Sequence, residues 1–125
     1  MIIDSHCHAW AHWPYQPPVP DPRSRGTLEQ LVFEMDQNGV DRAVIICAAI
    51  DHNPENTADV VEAAKRHGDR IIPFADIDCR WSATYHTPGA ADRLRTAAAR
   101  WSLRGFTHYL NEDHDAGWLI SGDGL

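Results

Sequence analysis

Asp41-Arg-Ala-Val-Ile-Ile-Cys-Ala-Ala-Ile50 is the stretch that decides the fold. From Ala43 onward it is apolar on both parities, the pattern of a strand covered on both faces. Three other runs share its character. Met1 to His8 opens with β-branched Ile2 and Ile3, Arg70 to Asp78 carries Ile71, Ile72 and Phe74, and Leu103 to Leu110 carries Phe106 and Tyr109. Strands are therefore expected near 2–7, 42–49, 71–77 and 104–109. Pro73 lies inside the third run and counts against a central position for it.

The segments between these runs carry helix punctuation. Thr27-Leu-Glu-Gln30 has the form of a capping box, followed by Leu28, Leu31, Val32 and Met35 at helical spacing and by Gly39 as a stop. Asn53-Pro54 offers a cap and a first-turn proline to a second helix, with Val60, Val61 and Ala64 facing inward and Gly68 at its end. Thr87-Pro88 opens a third, with Ala91, Leu94, Ala98 and Trp101 on one face. Helices are thus expected near 27–38, 54–67 and 89–101. Strand and helix alternate, which implies parallel strands joined by right-handed crossovers. Residues 10–26 hold five Pro and two Trp directly after the first strand, where α/β folds place ligand loops.

Composition narrows the function classes. The chain has 125 residues and a net charge of −7, so a phosphate backbone is not its expected partner. No apolar run approaches the ~20 residues of a membrane span, and no signal-peptide core follows Met1. Three widely spaced Cys (Cys7, Cys47, Cys79) fit a reducing, cytoplasmic setting and suit core filling. A small-molecule substrate is the expected partner, with self-association as a further possibility.

Chemistry concentrates in Asp4-Ser-His-Cys-His8. Residues two apart share a face of a strand, so Asp4, His6 and His8 are expected to project together, opposite Ser5 and Cys7. Two imidazoles so spaced can both reach one divalent ion, Zn²⁺ being the natural choice. Eight His in this chain make about 0.5 His-x-His pairs by chance, so the weight comes from the preceding Asp and the strand end.

Ile3-Asp-Ser-His-Cys-His-Ala-Trp10 resembles the first-strand signature of the amidohydrolase superfamily, and within it the amidohydrolase-related group of sugar lactonases, a pyrone-dicarboxylate lactonase and aromatic-acid decarboxylases. Met35 to Val44, Leu103 to His108 and Gly117 to Leu125 look like softer matches to the same group. The resemblance implies an α/β fold, the first half (βαβαβαβ) of a TIM-like (β/α)8 metal-dependent hydrolase barrel. Residues 1–125 would form a single partial domain. His6 and His8 match the family's two first-strand metal ligands. Its remaining ligands, from strands five, six and eight, have no counterpart here. Members of the lactonase branch can also work without metal, in which case the pair would bind substrate.

The resulting expectation is a hydrolase of a lactone or similar cyclic ester. Non-oxidative decarboxylation of an aromatic or unsaturated acid is the alternative on the same scaffold, and a TatD-like nuclease fits less well. A catalytically inert half-barrel is the competing reading, and this chain alone is then expected to self-associate and to show no hydrolase activity. His108 and Tyr109, at the end of the fourth strand, are expected to contact substrate, and Trp10, with Trp13 and Tyr15, is expected either to wall the pocket or equally to pin the loop to the barrel rim. Asp76 and Asp78 could reach the same mouth as paired carboxylates, but the favoured expectation is a solvated strand end with Asp78 starting the next turn, since turns attract Asp. His12, His52, His67, His86 and His114 have only their positions in their favour.

Overall fold

The computed structural model describes residues 1–15, 20–50, 53, 55–78, 82–85 and 87–107. The elements alternate: β1 (Ile3–Cys7), α1 (Leu28–Asn38), β2 (Arg42–Cys47), α2 (Asn56–Ala64), a 3-10 turn (Gly68–Arg70), β3 (Ile71–Asp76), α3 (Ala90–Trp101) and β4 (Gly105–Thr107). The strands form one parallel sheet in the order β1-β2-β3-β4. The expected alternation and direction are those observed. Residues 108 and 109 of the expected fourth strand lie outside the described residues.

The core sits between one face of the sheet and the first two helices. Ala43, Ile45 and Cys47 on β2 and Ile71 on β3 pack with Leu28, Val32 and Met35 of α1 and Val60 and Ala64 of α2. Ala43, Ile45 and Cys47 are fully excluded from solvent. Alternation sends Val44 and Ile46 of β2, and Ile72 and Phe74 of β3, to the opposite face. There Val44, Ile72 and Phe74 are only half-buried.

Several boundaries differ from expectation for local reasons. Thr27 caps α1, its Oγ1 accepting the Gln30 N–H at 3.2 Å, but Gln30 reaches back to the Gly26 N–H rather than to Thr27. At the other end Gly39 is left-handed with φ 67°, and its N–H and that of Val40 close on the Met35 carbonyl. Asn53 does not cap α2. It is buried and donates from Nδ2 to Asn56 Oδ1, while Asn56 donates to the Ala48 carbonyl, so both amides staple the β2–α2 connection. The helix begins after Glu55 without a side-chain cap and ends at Ala64, short of Gly68. Gly89, not Thr87, precedes α3, and Ala97 rather than Leu94 or Ala98 is its buried residue.

Pro73 is tolerated inside β3. It pairs with Ile45 of β2, but the ladder to β4 starts only at Phe74. At Pro73 the strand is therefore paired on a single side, which leaves one side able to carry a residue without an N–H. Among the described residues no helix is long and apolar enough to cross a membrane.

Candidate functional site at the end of the first strand

The site is built on an irregularity in β1. Asp4 pairs with Ala43 and Cys7 with Ile45, so β1 spends one residue more than β2 between these points. Asp4 supplies the reason. Its Oδ1 accepts the His6 N–H at 3.1 Å, a side-chain turn that draws this amide away from the ladder. The Cys7 thiol also hydrogen-bonds the Asp4 carboxylate. The expectation that Asp4 projects with both imidazoles, away from Cys7, is corrected: Asp4 lies near the His6 ring but interacts with Cys7, and does not form a three-donor group with His6 and His8. Asp4 closes on Cys7 and on the backbone, and acts as the brace of the bulge.

These contacts leave electrostatic signatures. The His6 amide, then the Cys7 thiol and the nearby His6 ring, hold the Asp4 carboxyl below its ordinary range against a small desolvation effect. Burial, followed by the hydrogen bond and charge of Asp4, pushes the Cys7 thiol up to about 12. Cys7 is thus a protonated core-edge thiol at neutral pH, and no nucleophile.

Past the bulge the imidazoles of His6 and His8 meet edge to face, with ring centroids 5.1 Å apart. His8 Nδ1 lies 3.0 Å from the Ile46 carbonyl of β2. A carbonyl only accepts, so Nδ1 carries the proton and Nε2 of neutral His8 keeps its lone pair. Trp10 stacks on the His8 ring at 5.9 Å and 18°. Both imidazoles are exposed to solvent. A pair of nitrogens with one ring fixed by a carbonyl is a fitting half of a metal centre, since ligating His usually donates its other N–H to such a group. Among the described residues no cluster of three or more His, Cys, Asp or Glu is arranged to hold a metal ion.

The other sequence candidates divide. Trp10 is 5% exposed, held edge-on by Tyr15 at 5.7 Å, and its backbone N–H donates to the Gly26 carbonyl at 2.8 Å. It also lines a cleft of about 300 Å³ between α1 and α2, with Leu28 and Val60. Its visible work is to fix His8 and pin the loop. Asp76 ends β3, buried, and its charge adds to burial in pushing the Cys47 thiol up to about 12. Asp78 is buried as well, with φ 57°. Arg93 of α3 grips both its oxygens from Nε at 2.8 and 2.9 Å, and Thr84 donates to it at 2.5 Å. The expected solvated turn is thus a buried clasp, and Asp78 has no oxygen to spare for a substrate. His12 is exposed, and His67 sits 3.9 Å from Glu29 on the helical side. His108, Tyr109, His52, Cys79, His86 and His114 lie outside the described residues.

Sequence reasoning missed the bulge and the carbonyl anchor of His8. The Asp4–His6 spacing was the available signal for the bulge, since Asp favours bonding the amide two residues on.

Comparison with known proteins gives a likeness of fold. No protein-family model matches the chain, and no curated protein matches it. Among solved structures, a probable 2-pyrone-4,6-dicarboxylic acid hydrolase from Acinetobacter baumannii, with citric acid bound, superposes with a TM-score of 0.54 at 16% identity. The match covers 95% of this chain and 44% of that one, so the chain spans less than half the length of its structural neighbour.

Proposed function

We propose that this chain contributes the first-strand half of the active site of a hydrolase that opens a small lactone or similar cyclic ester. The barrel would be of the (β/α)8 kind, with the chain supplying its first four strands. The observation that carries the reading is the His8 Nδ1–H bond to the Ile46 carbonyl, which leaves Nε2 available beside the His6 ring. The likeness to a pyrone-dicarboxylic acid hydrolase supports the same chemistry and suggests a lactone bearing carboxylates.

His6 and His8 would hold a divalent ion such as Zn²⁺. When bound, such an ion polarises the ester carbonyl and makes water a nucleophile near neutral pH. The chain's own residues do the positioning. The Ile46 carbonyl fixes the His8 tautomer, the Trp10 face holds its ring plane, and the Asp4 brace sets the turn that brings His6 alongside. Having only two such donors among the described residues favours a second reading, in which the imidazoles, protonated, bind a substrate carboxylate directly.

The test is metal analysis of the purified protein after exposure to Zn²⁺, together with ultraviolet assay of pyrone-type lactones and a check for CO2 release. His6→Ala and His8→Ala should each lose bound Zn²⁺ with unchanged far-UV circular dichroism. Unchanged metal in both variants removes the metal reading. Lactone loss that needs both His in metal-free protein would install the second reading instead, and CO2 release would mark decarboxylation.

A further inference from the structure

We infer that Asp76 is a specificity-determining residue of the proposed site: it accepts a hydrogen bond from a hydroxyl on the lactone, at the end away from the His6–His8 pair, and disfavours a carboxylate there. This deepens the reading of the His pair as the reacting end and rests on it.

Parity puts Asp76 on the same face of the sheet as the imidazoles. Ile71 of β3 packs in the core with α1 and α2, and Pro73 joins it in lining a groove between α2 and α3. Ile72, Phe74 and Asp76 therefore take the opposite face. In β1 it is Cys7 that packs against the helical core, which leaves the adjoining His6 and His8, whose rings touch, to that same opposite face. Asp76 and the imidazoles also stand at the C-terminal ends of parallel strands, the end where such folds bind ligands. Asp78 breaks the alternation with its positive φ and turns to Arg93, so of the two carboxylates after Ala75 only Asp76 keeps this parity.

The register sets the spacing. His8 bonds the Ile46 carbonyl of β2, Ile46 pairs with Phe74 of β3, and Asp76 stands two residues beyond Phe74. Two strand spacings separate β1 from β3, about 10 Å, and two residues add about 7 Å along the strand. Asp76 is therefore too far to join the imidazoles as a metal donor. It stands instead where the far side of a monocyclic lactone falls when the ester lies at the imidazoles. Apolar side chains floor the interval: Ile46 is 5% exposed, and the Phe74 ring lies over Gly105, where a Cβ would come within 2.4 Å of it. Asp76 itself is 7% exposed. A carboxylate only accepts hydrogen bonds, and it has about four lone-pair sites, so a partner inside the protein leaves places for a substrate hydroxyl. Such a bond is charge-assisted, whereas a substrate carboxylate in the same place meets like charge away from water.

Equilibrium binding tests it, read by nuclear magnetic resonance from the His6 and His8 ring protons. Three δ-lactams serve as probes, because they resist hydrolysis during the titration: D-gluconolactam with its hydroxyls, unsubstituted δ-valerolactam, and the same ring bearing a carboxylate. The wild type should bind the hydroxylated ring about ten- to a hundredfold more tightly than the unsubstituted one, and the carboxylated ring most weakly. Asp76→Ala should abolish the preference for hydroxyls. Asp76→Asn, which keeps the shape and an acceptor but not the charge, should retain part of that preference and bind the carboxylated ring more tightly than the wild type does. A purely structural Asp76 would weaken all three rings alike and leave their ratios unchanged, which overturns the inference. Equal affinities for the three rings in the wild type overturn it as well, whether or not either variant folds. Binding of none of them also overturns it, and the histidine reading is then judged separately by the Zn²⁺ content of the His6→Ala and His8→Ala variants. Loss of the metal reading with the lactam preference intact would leave Asp76 in its role, facing imidazoles that bind the substrate directly.

Discussion

Asp78 and Arg93 show what single residues do in this structure. Asp78 has a side chain 6% exposed and a positive φ, and Arg93 satisfies both its oxygens while also donating to the carbonyls of Thr87 and Pro88. Truncating Arg93 would strand a buried carboxylate, so Arg93→Ala should cost about 3 kcal/mol in urea unfolding. Arg95→Ala removes a pair whose partners are 75% and 86% exposed, and should cost less than about 0.5 kcal/mol. Equal costs would show that the clasp adds nothing. Cys47 gives the pH counterpart. Burial, then the charge of Asp76, raises its thiol from 9.0 to about 12, so the folded state keeps a proton that the unfolded chain releases. That contribution is whole below pH 9 and is lost as pH rises toward 12, by about 1.4 kcal/mol per unit. Cys47→Ala should flatten the alkaline fall of the unfolding free energy, measured by urea titration, by that amount, and an unchanged slope would contradict it. At this scale the His pair was legible because a two-residue spacing at a strand end is visible in sequence. The clasp was not, because its partners lie 15 residues apart and meet only when α3 docks.

Elements were most legible where local chemistry alone sets them. Thr27 and Gly39 bracket α1 because a hydroxyl cap and a left-handed stop need nothing from the rest of the chain. Thr27→Ala should cost about 1 kcal/mol, measured against a nearby exposed control such as Gln37→Ala. Asn53 misled because the same amide that caps helices also satisfies buried carbonyls, and the β2–α2 connection is buried. The β3–β4 contact was likewise invisible before the strands were paired. Gly105 sits opposite Phe74, and a Cβ there would collide with the Phe74 ring. Gly105→Ala should therefore destabilise by about 1–3 kcal/mol. In a Phe74→Leu background, where the ring is gone, most of that cost should vanish. An equal cost in both backgrounds would assign the effect to the backbone instead.

At the scale of the molecule, the alternation of strands and helices was legible because each crossover must bury one helical stripe on one sheet face. What covers the other face is not written in any local pattern, although the two-sided hydrophobicity of β2 states that something must. The inert half-barrel reading expects this chain, taken alone, to self-associate, which couples folding to association and makes stability depend on concentration by mass action. Diluting the protein a hundredfold should then remove about 2.7 kcal/mol per dimer. For an assembly of that size each kcal/mol moves the melting temperature by about 2–4 °C, so the transition should fall by about 5–10 °C. Val44→Asp, by placing a charge on the open face, should both lower the melting temperature and abolish its dependence on concentration. A transition that is sharp and identical at both concentrations in the wild type would mean that one copy buries all it needs, and the uncovered parity of β2 would then be a tolerated surface.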